Sequence, residues 1–173
     1  MRPERGKGQD ESKTDYGGKY SHPKLGDNFP LRGWKGQLYE GGVRVPAFVY
    51  WRGRLQTATA PEIVNILDWY PTIAKLAGAD VPANAKLEGR DVWPILSRKG
   101  TKPADPEIYW NTGNMQAVMA GGLKLIVNVK KQQEELYDLR TDAKEATNLT
   151  ATRPSELAAM RKRLNAQREA DAK

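Results

Sequence analysis

Cysteine is missing from all 173 residues, and histidine occurs once, at His22. The first absence excludes disulfides, zinc–thiolate centres and a cysteine nucleophile within this chain. Long apolar runs are missing too. Nothing approaches the ~18 residues that a membrane-spanning helix requires, so no membrane span is expected. The opening MRPERGKGQDESKTDYGGKY carries positive charge with no apolar segment behind it, and no secretory leader is read there. Internal repeats and low-complexity blocks are lacking as well. Residues 1–29 show neither helical nor strand periodicity, with aromatics only at Tyr16, Tyr20 and Phe29. They read as a loop or irregular N-terminal segment, of a length that wraps a site or marks a cut end.

Positive charge is in excess, at a formal net of +7, but it is not segregated. Basic and acidic residues alternate in RPERGKGQDESK and in MRKRLNAQREADAK, whereas a nucleic-acid face gathers Lys and Arg along one element. No nucleic-acid partner is expected. The length suits one domain, large enough to bury roughly 70% of its unfolded surface.

The elements follow from pattern. VRVPAFVYW, residues 43–51, is enriched in β-branched and aromatic residues and nearly continuously apolar, which fits a strand covered on both faces. Pro46 belongs at its start or on an edge, and Gly41-Gly42 allows a sharp entry. In DWYPTIAKLAG, Asp68 is placed to cap a short helix and Pro71 falls in its first turn. Ile73, Leu76 and Ala77 share a face there, and Gly78 ends the helix. RDVWPILSRKG suggests a second short helix stopped at Gly100. Between residues 107 and 137 the runs EIYWNT, MQAVMA, LKLIVNV and EELYDL read as four short strands, with Gly121-Gly122 as a hairpin turn. In LKLIVNV, Leu123, Leu125, Val127 and Val129 share one face, and Lys124, Ile126 and Asn128 the other. That predicts an antiparallel sheet packed on one side and partly exposed on the other. RPSELAAMRKRLNAQREADAK reads as an amphipathic helix with Pro154 in its first turn and Leu157, Met160 and Leu164 as its stripe. The first strand looks as though it belongs to a larger sheet, yet nothing before it supplies neighbours.

The most unusual stretch is RGWKGQLYEGG, residues 32–42, where Lys35 lies between Gly33 and Gly36. An ammonium is a compact charge with three donors, suited to a tetrahedral oxyanion such as sulfate or phosphate. Flanking glycines let backbone approach a ligand closely. Taken alone, a lysine among glycines is also what any exposed turn contains.

A resemblance adds to this reading. PLRGWKGQLYEGGVRVPAFVYWRGRL resembles the central signature of the type I sulfatase (arylsulfatase) family, PLRG-x-KG-x-x-YEGG-x-RVP leading into W-x-G. The matches are Pro30, Leu31, Arg32, Gly33, Lys35, Gly36, Tyr39, Glu40, Gly41, Gly42, Arg44, Val45, Pro46, Trp51 and Gly53. DWYPTIAKLAGADVP is similar to D-x-x-PT-x-x-x-LAG-x-x-x-P, and LEGRDVWPIL to DG-x-D-x-x-P-x-L. EELYDLRTDAKEATNL is similar to LYDL-x-x-DP-x-E-x-x-NL, with Ala143 in place of proline. The resemblance implies an α/β fold: the C-terminal part of an alkaline-phosphatase-like sulfatase fold, with a four-stranded antiparallel sheet plus C-terminal helix subdomain. The implied division is 1–29 irregular, 30–104 the end of the catalytic α/β core, and 105–173 the sheet-and-helix subdomain. It further implies hydrolysis of sulfate esters by a formylglycine held on calcium, with Lys35 contacting the substrate's sulfate. Members of the family are often exported.

The pattern is incomplete in this chain. Ser21-His22-Pro23-Lys24-Leu25 has Ser and Pro at the spacing of the nucleophile motif C/S-x-P-x-R, but Leu25 stands where arginine belongs and the place in the chain is wrong. Asp27-Asn28 is similar to the family's calcium-binding Asp-Asn pair but follows Gly26 and has no strand before it, so it reads as turn chemistry. His22 is read as a bystander, and the Asn148-Leu149-Thr150 sequon as chance. The expectation is therefore a sulfatase fragment that keeps Lys35 as its substrate-binding residue. It lacks the nucleophile and the calcium ligands, is inactive alone, and is the partner of a missing N-terminal half. The alternative is a non-catalytic basic module that binds sulfated glycans or other polyanions.

Overall fold

The computed structural model describes residues 28–82 and 84–171. Its most regular part is one antiparallel sheet whose strands lie in sequence order: β1 (Ile108–Asn111), β2 (Met115–Ala120), β3 (Leu123–Asn128) and β4 (Gln133–Asp138). Gly121 and Gly122 join β2 to β3 with φ of 55° and 80°, the two positive values that a tight hairpin turn demands. This sets Ala120 opposite Leu123 and Val118 opposite Leu125. The long helix α4 (Pro154–Asp171) starts on its proline and buries Leu157, Met160 and Leu164. That stripe packs on Val118, Leu125, Val127 and Leu136, the sheet face that alternation assigns to the core.

The opposite face is not partly exposed, as alternation alone suggests. Ala117, Ile126 and Tyr137 are covered by Leu38, with Tyr39, Val43 and Trp110 packed around them. Leu38 comes from the segment that leads into the short helix α1 (Glu40–Val43) and is 3% exposed, a burial that contributes about 2 kcal/mol. The sheet is thus the middle of three layers: α4, the strands, and the residue 30–43 loop.

Residues 44–104 depart further from expectation. The 43–51 run is not a strand: Val43 closes α1, and residues 44–50 join no ladder and are exposed. Phe48 is 92% exposed. The sequence has strand composition, but a strand also needs a neighbour to pair with. The run ends on Trp51, whose ring lies 5.6 Å from that of Trp93.

Helix α2 (Trp69–Leu76) follows a single 3-10 turn, Ile66–Asp68. Asp68 takes the N-cap position of α2 but its side chain makes no capping bond to that helix; the side-chain cap is Asn65, on the 3-10 turn. The Asn65 side chain accepts the Leu67 N–H while Asp68 returns a bond to the Asn65 N–H. Asp68 is then free to accept from Arg90, at 2.8 Å from both the backbone N–H and Nη2. The expected buried face of α2 is also absent: Ile73 and Leu76 are exposed, and Thr72 is the buried residue. Thr72 Oγ1 donates to Asp68 O at 2.6 Å and accepts the Val92 N–H at 2.9 Å. α3 (Trp93–Ser97) follows, and it ends at Arg98 (φ 58°) before Gly100 (φ 82°) is reached.

Candidate functional site

Lys35 lies at the exposed tip of a four-residue turn, closed by the Gln37 N–H donating to Trp34 O at 3.0 Å. Lys35 and Gly36 are its central residues, and Gly36 has φ 92°. A type II turn needs a positive φ at that third position, which glycine adopts without penalty. A side chain at Gly36 would meet nothing within 4 Å, so the tip is open. Asn28 does have a turn role: its Nδ2 donates to Gly41 O at 2.7 Å and to Gly33 O at 3.3 Å, drawing the two stems of the loop together.

The glycine pair serves close approach. Gly41 and Gly42 lie where a Cβ would come within 2.5 Å of Arg32 O and 2.1 Å of Gln37 O, respectively. Gly41 N–H donates to Arg32 O at 2.7 Å. The loop is therefore folded back on itself with no room for a side chain at its neck.

Each stem is also held by charge. Arg32 Nη1 donates to Tyr137 Oη (2.7 Å), Glu135 Oε2 (3.2 Å) and Glu145 O (3.2 Å), and Nη2 donates to Tyr39 Oη at 3.1 Å. Its guanidinium lies 3.9 Å from the centre of the Tyr39 ring. Tyr39 and Tyr137 in turn donate to Glu135. Burial and then the Glu135 carboxylate push the Tyr39 phenol up to about 12, and burial with the hydrogen bond to Glu135 raises Tyr137 too. Both phenols keep their protons at neutral pH and remain donors.

The second stem ends in a buried ionic cluster. Lys124, the second residue of β3, is fully buried, and its Nζ lies 2.9 Å from Glu40 Oε1 and 3.0 Å from Glu145 Oε1. The Trp110 ring is 5.5 Å away. Glu145 Oε2 accepts the Glu40 N–H at 2.7 Å, while Oε1 has the charge of Lys124 nearby but no aligned donor. Burial pushes the Glu145 carboxyl up, and the Lys124 ammonium opposes that rise. Arg44 Nη1, 3.8 Å from Glu40 Oε2, supplies a second positive charge at the rim.

None of Arg32, Glu40, Lys124, Glu135 or Glu145 is singled out as a site residue by sequence alone. The available signals are Lys124, a cation in an otherwise apolar run, and the signature matches at Arg32 and Glu40. Ser21, His22 and Asp27 lie outside the described residues. Among the described residues no group of three or more His, Cys, Asp or Glu side chains could hold a metal ion. Nor is any helix among them long and apolar enough to cross a membrane. Basic residues of α4 are spent on local pairs, Arg161 with Glu134 and Arg163 with Glu107.

Residues 33–170 match the family model described as N-sulphoglucosamine sulphohydrolase, C-terminal. The chain belongs to the sulfatase family. It corresponds to that family's C-terminal portion. A sulfatase of Formosa agariphila is 32% identical over 148 residues, covering 75% of this chain and 27% of the relative. Human arylsulfatase A is 45% identical over 80 residues, 46% of this chain and 16% of that protein. The crystal structure of Ps i-CgsB superimposes with a TM-score of 0.71 at 29% identity, over 82% of this chain and 32% of that one. The sulfatase chain described here thus spans less than a third of each of these relatives. Its sheet-and-helix unit is the C-terminal subdomain of an α/β sulfatase fold.

Proposed function

We propose that this chain is the sulfate-facing C-terminal part of a sulfuric ester hydrolase, and that Lys35 contacts the sulfate group of the substrate. The observation that carries this reading is the turn itself. An exposed lysine stands over an open glycine, on a loop with a closed neck and both stems bonded to the sheet. A cation held in place before the reaction stabilises charge as it develops on a breaking ester, with little reorganisation. As the S–O bond lengthens, the sulfuryl and leaving-group oxygens gain negative charge, and the three donors of an ammonium can follow it.

Among the described residues no group of three or more His, Cys, Asp or Glu side chains fits the family's calcium, and the chain has no cysteine from which a formylglycine could be made. The carboxylates nearest the turn, Glu40, Glu135 and Glu145, are already engaged with Lys124 and Arg32. On this reading residues 30–104 are the end of the catalytic core and residues 105–173 its C-terminal subdomain. The nucleophile and metal belong to sequence outside these residues.

Titration of the chain with inorganic sulfate, followed by amide NMR, tests the lysine. The Gly33–Gly36 amides should shift in a saturable way, and Lys35→Ala should abolish the shift. A response at some other basic surface, unchanged in Lys35→Ala, would overturn the assignment. The chain alone should not turn over an aryl sulfate ester, and turnover lost in Lys35→Ala would disprove that division of the active site.

A further inference from the structure

We propose that Lys124 and Glu145 are positioning residues for Lys35, a buried latch through which the C-terminal sheet sets where the sulfate-contacting turn stands. This rests on the reading of Lys35 given above. Neither residue reaches the tip of the turn. They act through its two stems, and Glu145 acts on both. Its backbone carbonyl accepts from Arg32 Nη1 at 3.2 Å, and its carboxylate accepts the Glu40 N–H at 2.7 Å. The same carboxylate faces Lys124 at 3.0 Å, and Lys124 holds the Glu40 side chain at 2.9 Å.

Two features separate this cluster from ordinary core packing. Glu145 has a φ of 55°, a left-handed conformation that glycine or asparagine adopts far more readily than glutamate. The chain keeps a glutamate there, and that backbone presents carbonyl and carboxylate to opposite stems of one loop. Second, the ions are fully buried: the Lys124 and Glu145 side chains are both 0% exposed. A well-packed apolar set of the same volume is commonly as stable or more so. What directional bonds add is a fixed register. Leu38 could slide on Ala117 and Ile126, whereas Glu40 has one place where its carboxylate accepts from Lys124 Nζ and its N–H donates to Glu145 Oε2. The neck residues Gly41 and Gly42 have no slack of their own, so a displacement of Glu40 passes to the tip.

The test uses Glu145→Gln, which keeps the shape and removes the charge, together with Lys124→Met and Lys124→Arg. Amide hydrogen exchange and the sulfate titration are both read on the full chain. In Glu145→Gln and Lys124→Met, exchange at Glu40 and Gly41 should rise about tenfold or more, as expected for losing a charge-assisted buried bond. Protection at Val118, Leu125 and Leu136 should stay at the wild-type level. The sulfate-induced shift of Lys35 and Gly36 should fall severalfold, and Lys124→Arg should recover part of it. Unchanged loop exchange in both variants overturns the proposal. So does a loss of core protection in Glu145→Gln, which would make the cluster a folding element and nothing more. If the wild-type turn gives no response to sulfate, the Lys35 reading falls, and the exchange data then judge the latch by themselves.

Discussion

Gly42 and Asp138 show how single residues carry the fold for different reasons. At Gly42 the constraint is space, since a Cβ would sit 2.1 Å from Gln37 O. Gly42→Ala should therefore cost about 1–3 kcal/mol, the range for forced overpacking. It should also shift the Gly33–Gly36 amides, and a urea midpoint equal to wild type would contradict this. Asp138 is constrained by charge. It accepts from Arg140 Nε and Nη2 at 2.9 Å and from Arg153 Nη1 at 3.3 Å. The hydrogen bonds from Arg140 pull its carboxyl down to about 2. Because the folded-state value lies below the unfolded one, near 3.9, the stabilisation is whole above that value. It is lost as pH falls through about 2. Arg140 is largely solvent-exposed, which screens the pair and keeps its contribution small. Asp138→Asn should lower stability at pH 7 and lower it much less near the folded-state value, checked by urea denaturation at both. An equal loss at the two pH values would remove the electrostatic account.

The helices differ in whether they have partners. α4 buries its stripe against the sheet, so Met160→Ala or Leu164→Ala should each cost about 2–5 kcal/mol. Ile73 on α2 is 59% exposed, and Ile73→Ala should change stability by less than about 0.5 kcal/mol. Thermal melts of the two sets should separate cleanly, and a large loss for Ile73→Ala would mean that α2 has a cover in solution. These elements also mark what is legible in sequence. α4, the four strands and the Gly121-Gly122 turn follow from periodicity and turn chemistry, which are local. The 43–51 run has every compositional mark of a strand, but pairing belongs to two segments and not to one. The Lys124–Glu40 and Glu40–Glu145 contacts join residues 84 and 105 positions apart, a distance no local pattern spans. Lys35 in its glycine turn was visible from sequence; what holds the turn was not.

Across the whole molecule, apolar side chains are distributed unevenly. The sheet is covered on both faces, while Val45, Phe48 and Tyr50, with Ile66, Leu67 and Tyr70 farther along, remain exposed. Exposed apolar groups on this scale mark a surface made to be covered, in keeping with a chain that spans under a third of its relatives. The isolated chain should self-associate and bind a hydrophobic dye. Phe48→Ser with Tyr50→Ser should reduce both without moving the urea midpoint, whereas an unchanged dye signal would place the sticky surface elsewhere. The Arg32–Glu145 bond, which spans 113 positions, bears on how the molecule is made. A ribosome delivers the lysine turn early and its anchor at Glu145 late, and the local β-hairpins between them close first because short loops close faster. The Lys35 turn therefore sets last. A truncation between residues 138 and 145 should yield a chain that can form its hairpins but never sets its turn.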